Sequence, residues 1–150
     1  MPRLTPTAAQ LLDLQGCLCL ELRRTTRLVT QRYDGALRPF GIRVTQIPML
    51  TAAASGDGVA LAPLAERFGM ERTTLLRNIR PLVRERLVQV RRAAGHRHDE
   101  LVATAKGRAL LARVYPVWRR VQDEISAQVA DPAWRLRLAQ LAEVGRAEAG

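Results

Sequence analysis

The stretch from Ala60 to Arg92, ALAPLAERFGMERTTLLRNIRPLVRERLVQVRR, limits what this chain can fold into more than any other part of it. It reads as a short helix, a turn containing Gly69, a second helix crowded with Arg and Thr, and then a basic strand. In the second helix Leu75, Leu76, Ile79, Leu82 and Val83 recur at the spacing that buries one face. The opposite face therefore carries Thr73, Thr74, Arg77, Asn78 and Arg84. Hydroxyls, an amide and guanidinium groups on a rigid rod suit the major groove of DNA, with phosphates on its walls and base-edge acceptors on its floor.

The charge agrees with that reading. Lys and Arg number 24 against 14 Asp and Glu, a formal net charge of +10, which points to a polyanionic partner. Lys106 is the only lysine, so nearly all of this charge sits on the side chain that can fork onto phosphate or guanine. Aromatics make up only 4 % of the residues, so the core must come from Leu, Val and Ala, which favours a mainly helical protein. No apolar run approaches the roughly 20 residues of a membrane span, and no basic region followed by an apolar signal core opens the chain; a cytoplasmic protein is expected.

Around the central stretch, residues 1–10 contain Pro2 and Pro6 and read as an irregular arm. From about Leu11 to Leu37 a long amphipathic helix is expected, ended by Pro39 and Gly41. A second helix runs from an N-cap at Thr45 to about Ala54, and Val59–Ala60 is a short extended pair able to add a third strand to a hairpin. Leu61–Phe68 is the first helix of the central motif, and the second runs from Glu71 to about Arg86 with a bend at Pro81. Two short strands, Leu87–Arg92 and Glu100–Thr104, flank the basic tip AAGHRHD. Thr104 caps a long helix that continues through Pro116, and Asp131–Pro132 opens a last helix with Trp134, Leu138, Leu141 and Val144 on one side.

This order of elements, together with LAERFGMERTTLLRNIRPLVRERLVQVRR and the later ATAKGRALL, resembles the MarR family of winged helix-turn-helix transcriptional regulators over roughly residues 11–130. The resemblance implies a fold that is mainly α with a small β-hairpin wing. Residues 42–103 would form the winged helix-turn-helix lobe, and 11–38 with 104–150 a helical dimerisation region. It also implies a homodimer, a repressor in most such families, that binds pseudo-palindromic double-stranded DNA and releases it on binding a small aromatic or phenolic effector. The apolar surplus of the first and last helices independently suggests a subunit interface.

Carried over residue by residue, the recognition positions fall on Arg72, Thr73, Thr74, Arg77 and Asn78, with Arg77 suited to guanine, Asn78 to adenine and Arg84 to a phosphate. In the wing, His96 and Arg97 are the expected DNA contacts. The family's Asp-x-Arg becomes Gly95-His96-Arg97 here, so the arginine is kept without its bracing aspartate, and the sequence leaves open whether Asp99 substitutes. Some relatives sense peroxide through a cysteine near the start of the first helix. Cys19 falls close to that position, Cys17 lies two residues before it, and Tyr33 matches an associated tyrosine, whereas Arg23 and Val44 stand where other tyrosines are wanted. Arg23, one turn after Cys19, could activate a thiolate, but a small packing role is the ordinary part of a helical cysteine.

An enzyme is not expected. His96 and His98 lack the convergent partners a metal needs, and no phosphate-cradling or dinucleotide glycine spacing occurs. No cofactor and no metal are therefore expected. The rival outside the regulator class is a winged-helix module that binds RNA or protein, which would want a less basic outer face on the second motif helix.

Overall fold

In the computed structural model, residues 5–92 and 99–147 are described. The chain runs α1 (Ala8–Gln15), α2 (Leu18–Leu37), a 3-10 turn over Arg38–Phe40, another over Val44–Gln46, α3 (Ile47–Ala54), β1 (Val59–Ala60), α4 (Leu61–Arg67), α5 (Arg72–Arg84), β2 (Val88–Arg92), β3 (Asp99–Ala103), α6 (Ala105–Gln128) and α7 (Trp134–Ala147). Helices with a small sheet are the expected mainly α fold with a hairpin wing. The sheet is antiparallel in the order β1-β3-β2, so the Val59–Ala60 pair does supply the third strand, opposite Leu101 and Glu100.

One core joins α2 to α6 and the sheet, and no residue of α1 or α7 belongs to it among the described residues. Leu37, Met49, Leu50, Leu64, Leu75, Ile79, Leu82, Val88, Leu101 and Val114 are its most enclosed large side chains. At roughly 1.5–3 kcal/mol for each such side chain fully removed from water, this cluster is what fixes α5 against α3, α4 and the sheet. Leu75, Ile79 and Leu82 enter it from α5. The expected partners Leu76 and Val83 do not: Leu76 is half-buried and Val83 is 41 % exposed, because both lie a residue past the inward-facing positions.

Several boundaries differ from the sequence reading, for local reasons. The N-terminal segment is helical from Ala8, not from Leu11, because Thr7 and Gln10 form a reciprocal cap: Thr7 Oγ1 accepts from the Gln10 N–H at 3.3 Å and Gln10 Oε1 accepts from the Thr7 N–H at 2.9 Å. That helix stops at Gly16, and α2 starts afresh after Cys17, whose backbone is extended. Cys17 is thus not a helical residue. At the start of α3, Thr45 is not the cap; Gln46 accepts from the Arg43 N–H at 2.9 Å and a 3-10 turn precedes the helix. α5 ends at Arg84, two residues early, because Arg86 takes a left-handed backbone with φ 55°. Glu71 precedes α5 without a side-chain cap bond, and both Pro81 and Pro116 lie inside continuous helices.

The turn between α4 and α5 is the one the glycine was expected to make. Gly69 is left-handed, its N–H donates to Glu66 O at 2.9 Å, and the Met70 N–H reaches back to Ala65 O at 2.9 Å. At the other end of α5, the N-terminus of α6 locks the turn into β2. Thr104 accepts from the Gly107 N–H at 3.1 Å, its hydroxyl donates to Arg86 O at 2.8 Å, and Lys106 Nζ donates to Glu85 O at 2.7 Å. The entry to α7 is a turn in which Asp131 Oδ1 accepts from the Ala133 N–H at 2.8 Å, placing the helix start at Trp134.

Candidate nucleic-acid interface

The inward triad of α5 dictates its outer stripe. With Leu75, Ile79 and Leu82 in the core, a 100° step per residue places Thr73, Arg77, Arg80 and Arg84 on the far side, and all four are exposed. Among the described residues Arg77 and Arg80 have no ion-pair or hydrogen-bond partner, whereas Arg84 lies 3.4 Å from Glu85 and Arg72 lies 4.0 Å from Asp99. Of the expected contacts Thr73, Arg77 and Arg84 thus share one face, while Arg72, at the N-terminal end of α5, is exposed beside Asp99. Thr74 is half-buried at the margin of a shallow concavity shared with Thr73, Leu76, Arg77 and Arg80.

Asn78 sits differently. It is half-buried and its amide donates to Met70 Sδ at 3.6 Å, so it faces the α4–α5 turn. Two cations escaped the sequence reading. Arg80 is seven residues after Thr73 and three after Arg77, so helical spacing alone could have found it. Arg43 immediately precedes the 3-10 turn before α3 and borders, with Arg77, Asn78 and Arg84, a cleft of about 440 Å³ beside α5; only the tertiary fold reveals it.

The wing stem is less basic than its sequence. Arg91 is 3.6 Å from Glu100 and Arg92 is 3.5 Å from Asp99, each the cross-strand partner of the other. Arg91 also donates to the carbonyl of Asp57. The tip positions Gly95, His96, Arg97 and His98 lie outside the described residues.

A second concavity of about 510 Å³ opens between α3, the end of α4 and α6. Ile47, Pro48, Phe68, Leu111, Tyr115 and Trp118 give it apolar walls, Thr51 and Ser55 contribute hydroxyls, and Arg67 is the charged residue lining it among the described residues. That chemistry suits a flat apolar body carrying one anionic group.

Cys17 and Cys19 are both exposed. Neither packs in the core, contrary to the ordinary expectation for a helical cysteine. Tyr33 is 14 residues beyond Cys19, about 21 Å along a helix. It is buried, its hydroxyl donates to Gln122 Oε1 at 2.7 Å, and burial raises its pKa, so within one chain it is not a companion of the thiol. Among the described residues no group of His, Cys, Asp and Glu could hold a metal, and no helix is long and apolar enough to cross a membrane.

No family model and no curated protein matches the sequence. Solved structures do match. The transcriptional regulator MosR of M. tuberculosis in complex with DNA is 42 % identical, with 87 % of this chain and 97 % of that one covered and a TM-score of 0.79. The chain belongs to the MarR family. A second structure of M. tuberculosis MosR superposes with a TM-score of 0.75 at 40 % identity, over 87 % of this chain and 96 % of that one. A MarR-family regulator from a Rhodococcus species shares the fold at 20 % identity, with a TM-score of 0.70 over 93 % of this chain and 96 % of that one. These matched MarR-type structures are of transcriptional regulators.

Proposed function

We propose that this protein is a homodimeric, sequence-specific transcriptional repressor that reads a pseudo-palindromic operator with α5 and leaves it on binding a small aromatic acid. The observation that carries the reading is the stripe of Thr73, Arg77, Arg80 and Arg84, whose two central arginines have no partner among the described residues. The MosR–DNA complex supports a duplex as the ligand. Dimerisation draws support from Leu12, Leu14, Leu18, Leu28, Leu136 and Val144, which are 56–70 % exposed on α1, α2 and α7; an apolar surplus of this kind marks a subunit interface. Residues 11–38 and 104–150 serve as the dimerisation region and 42–103 as the DNA-binding lobe.

The test compares a duplex that the protein selects from a random library with a scrambled duplex of equal length and composition, by mobility shift across a salt series. Specific binding predicts at least about a 1,000-fold preference for the selected duplex. Equal affinity for both contradicts the reading, since phosphate contacts alone are salt-sensitive and sequence-blind.

Release has two candidate routes. The apolar cleft favours an aromatic carboxylate, its ring against Phe68 and Trp118 and its charge toward Arg67. The exposure of Cys17 and Cys19 supports a thiol-based alternative. One experiment separates them: salicylate and cumene hydroperoxide are each added to the parent, Trp118→Ala and Cys19→Ser proteins bound to the selected duplex. The ligand route predicts that salicylate frees the parent but not Trp118→Ala, and equal release of both removes the cleft from consideration. Peroxide release of the parent but not of Cys19→Ser supports the thiol route, and equal release excludes Cys19.

A further inference from the structure

Asp99 stands where the recognition helix meets the wing. Its Oδ2 is 4.0 Å from the guanidinium of Arg72, the first residue of α5, and its Oδ1 is 3.5 Å from that of Arg92, its cross-strand partner. One carboxylate thus bridges two elements that are 27 positions apart in sequence and that must approach DNA together. It also puts a negative charge near the N-terminus of α5, where free helix N–H groups otherwise attract any phosphate. The arginines here are therefore of two kinds: Arg72, Arg84 and Arg92 carry a countercharge, while Arg77 and Arg80 have none among the described residues.

We infer that Asp99 is a positioning residue that sets specificity, tying Arg72 to the wing stem and restraining both arginines from gripping the phosphates of unmatched DNA. Specificity is a difference between affinities, so lowering sequence-blind attraction raises it as effectively as a better base contact does. Exposed ion pairs are weak. The tether accordingly yields where matched bases hold α5 in the groove and persists where they do not. The inference rests on the DNA-binding reading above.

Asp99→Asn removes the charge and keeps the shape. Its binding to the selected and scrambled duplexes is compared with the parent's across a salt series. The variant is expected to bind the scrambled duplex about fivefold more tightly at low salt, with a salt slope steeper by about 0.9 for each further phosphate that Arg72 or Arg92 neutralises. Its preference for the selected duplex falls accordingly, and Asp99→Glu restores it. An unchanged preference with an unchanged slope overturns the inference. So does equal weakening on both duplexes, which is what loss of a purely structural contact gives. Thermal melting reports whether the variant is folded, and Asp99→Ser provides the same comparison if it is not. A parent that cannot distinguish the two duplexes sinks the regulator reading itself; a discriminating parent beside an unchanged variant sinks only the role of Asp99.

Discussion

Gly107→Ala is expected to lower stability by about 3 kcal/mol, the upper end of the range for forcing an extra carbon into a packed site. A Cβ at this position would lie 2.1 Å from the backbone oxygen of Leu87 and 3.0 Å from Leu50 Cδ1. The first atom belongs to the backbone and cannot rotate aside. That oxygen also accepts the Thr104 N–H at 3.0 Å, so separating α6 from the start of β2 strains the cap that begins α6. It further loosens the grip of Thr104 and Lys106 on Arg86 and Glu85, the turn that sets where α5 ends. Chemical denaturation at fixed protein concentration measures the loss. Gly35→Ala is the control: Gly35 lies inside α2 with nothing within 4 Å of its added carbon, so helix propensity predicts a gain of up to about 1 kcal/mol. Equal stability of Gly107→Ala and the parent would mean that α6 does not approach β2 this closely.

Arg77→Ala is expected to cost about 1–3 kcal/mol on the selected duplex and to relax the requirement at one base pair of each half-site. Arg77 lies opposite the buried Leu75 and Ile79, midway along the outer stripe, and no acidic group competes for its guanidinium among the described residues. Arg84 is about 10 Å further along the helix and shares its charge with Glu85. Arg84→Ala is accordingly expected to weaken selected and scrambled duplexes alike and to lower the salt slope by about one unit. Identical behaviour of the two variants would show that the stripe does not divide into a base-reading and a phosphate-holding part.

What was legible in the sequence was local. The 3–4 spacing of Leu75, Ile79 and Leu82, the glycine at position 69, the Thr104 cap and the paired short strands each act within a few residues of themselves, so patterns found them. The Thr7–Gln10 cap is equally local and was obscured by Pro2 and Pro6, which suggested an irregular arm. Arg80 follows from the same periodicity that found Arg77. The remainder depends on contacts between distant segments: Asp99 with Arg72, Arg43 beside α5, the cleft assembled from three helices, and the close passage of Gly107 over Leu87. No window along the chain contains both partners of any of these. The contact of Asn78 with Met70 was not legible either: it ties the amide to the α4–α5 turn while the residue still borders the cleft beside Arg77.

The most direct test of the account is an affinity panel in which each base pair of one selected half-site is replaced in turn, measured for the parent and for Arg77→Ala at one salt concentration. The parent is predicted to lose about 1–3 kcal/mol at each contacted position, and the variant to lose that penalty at one position while keeping the others. A variant that binds more weakly yet retains every penalty would place Arg77 on phosphate alone and contradict base reading by the outer face of α5.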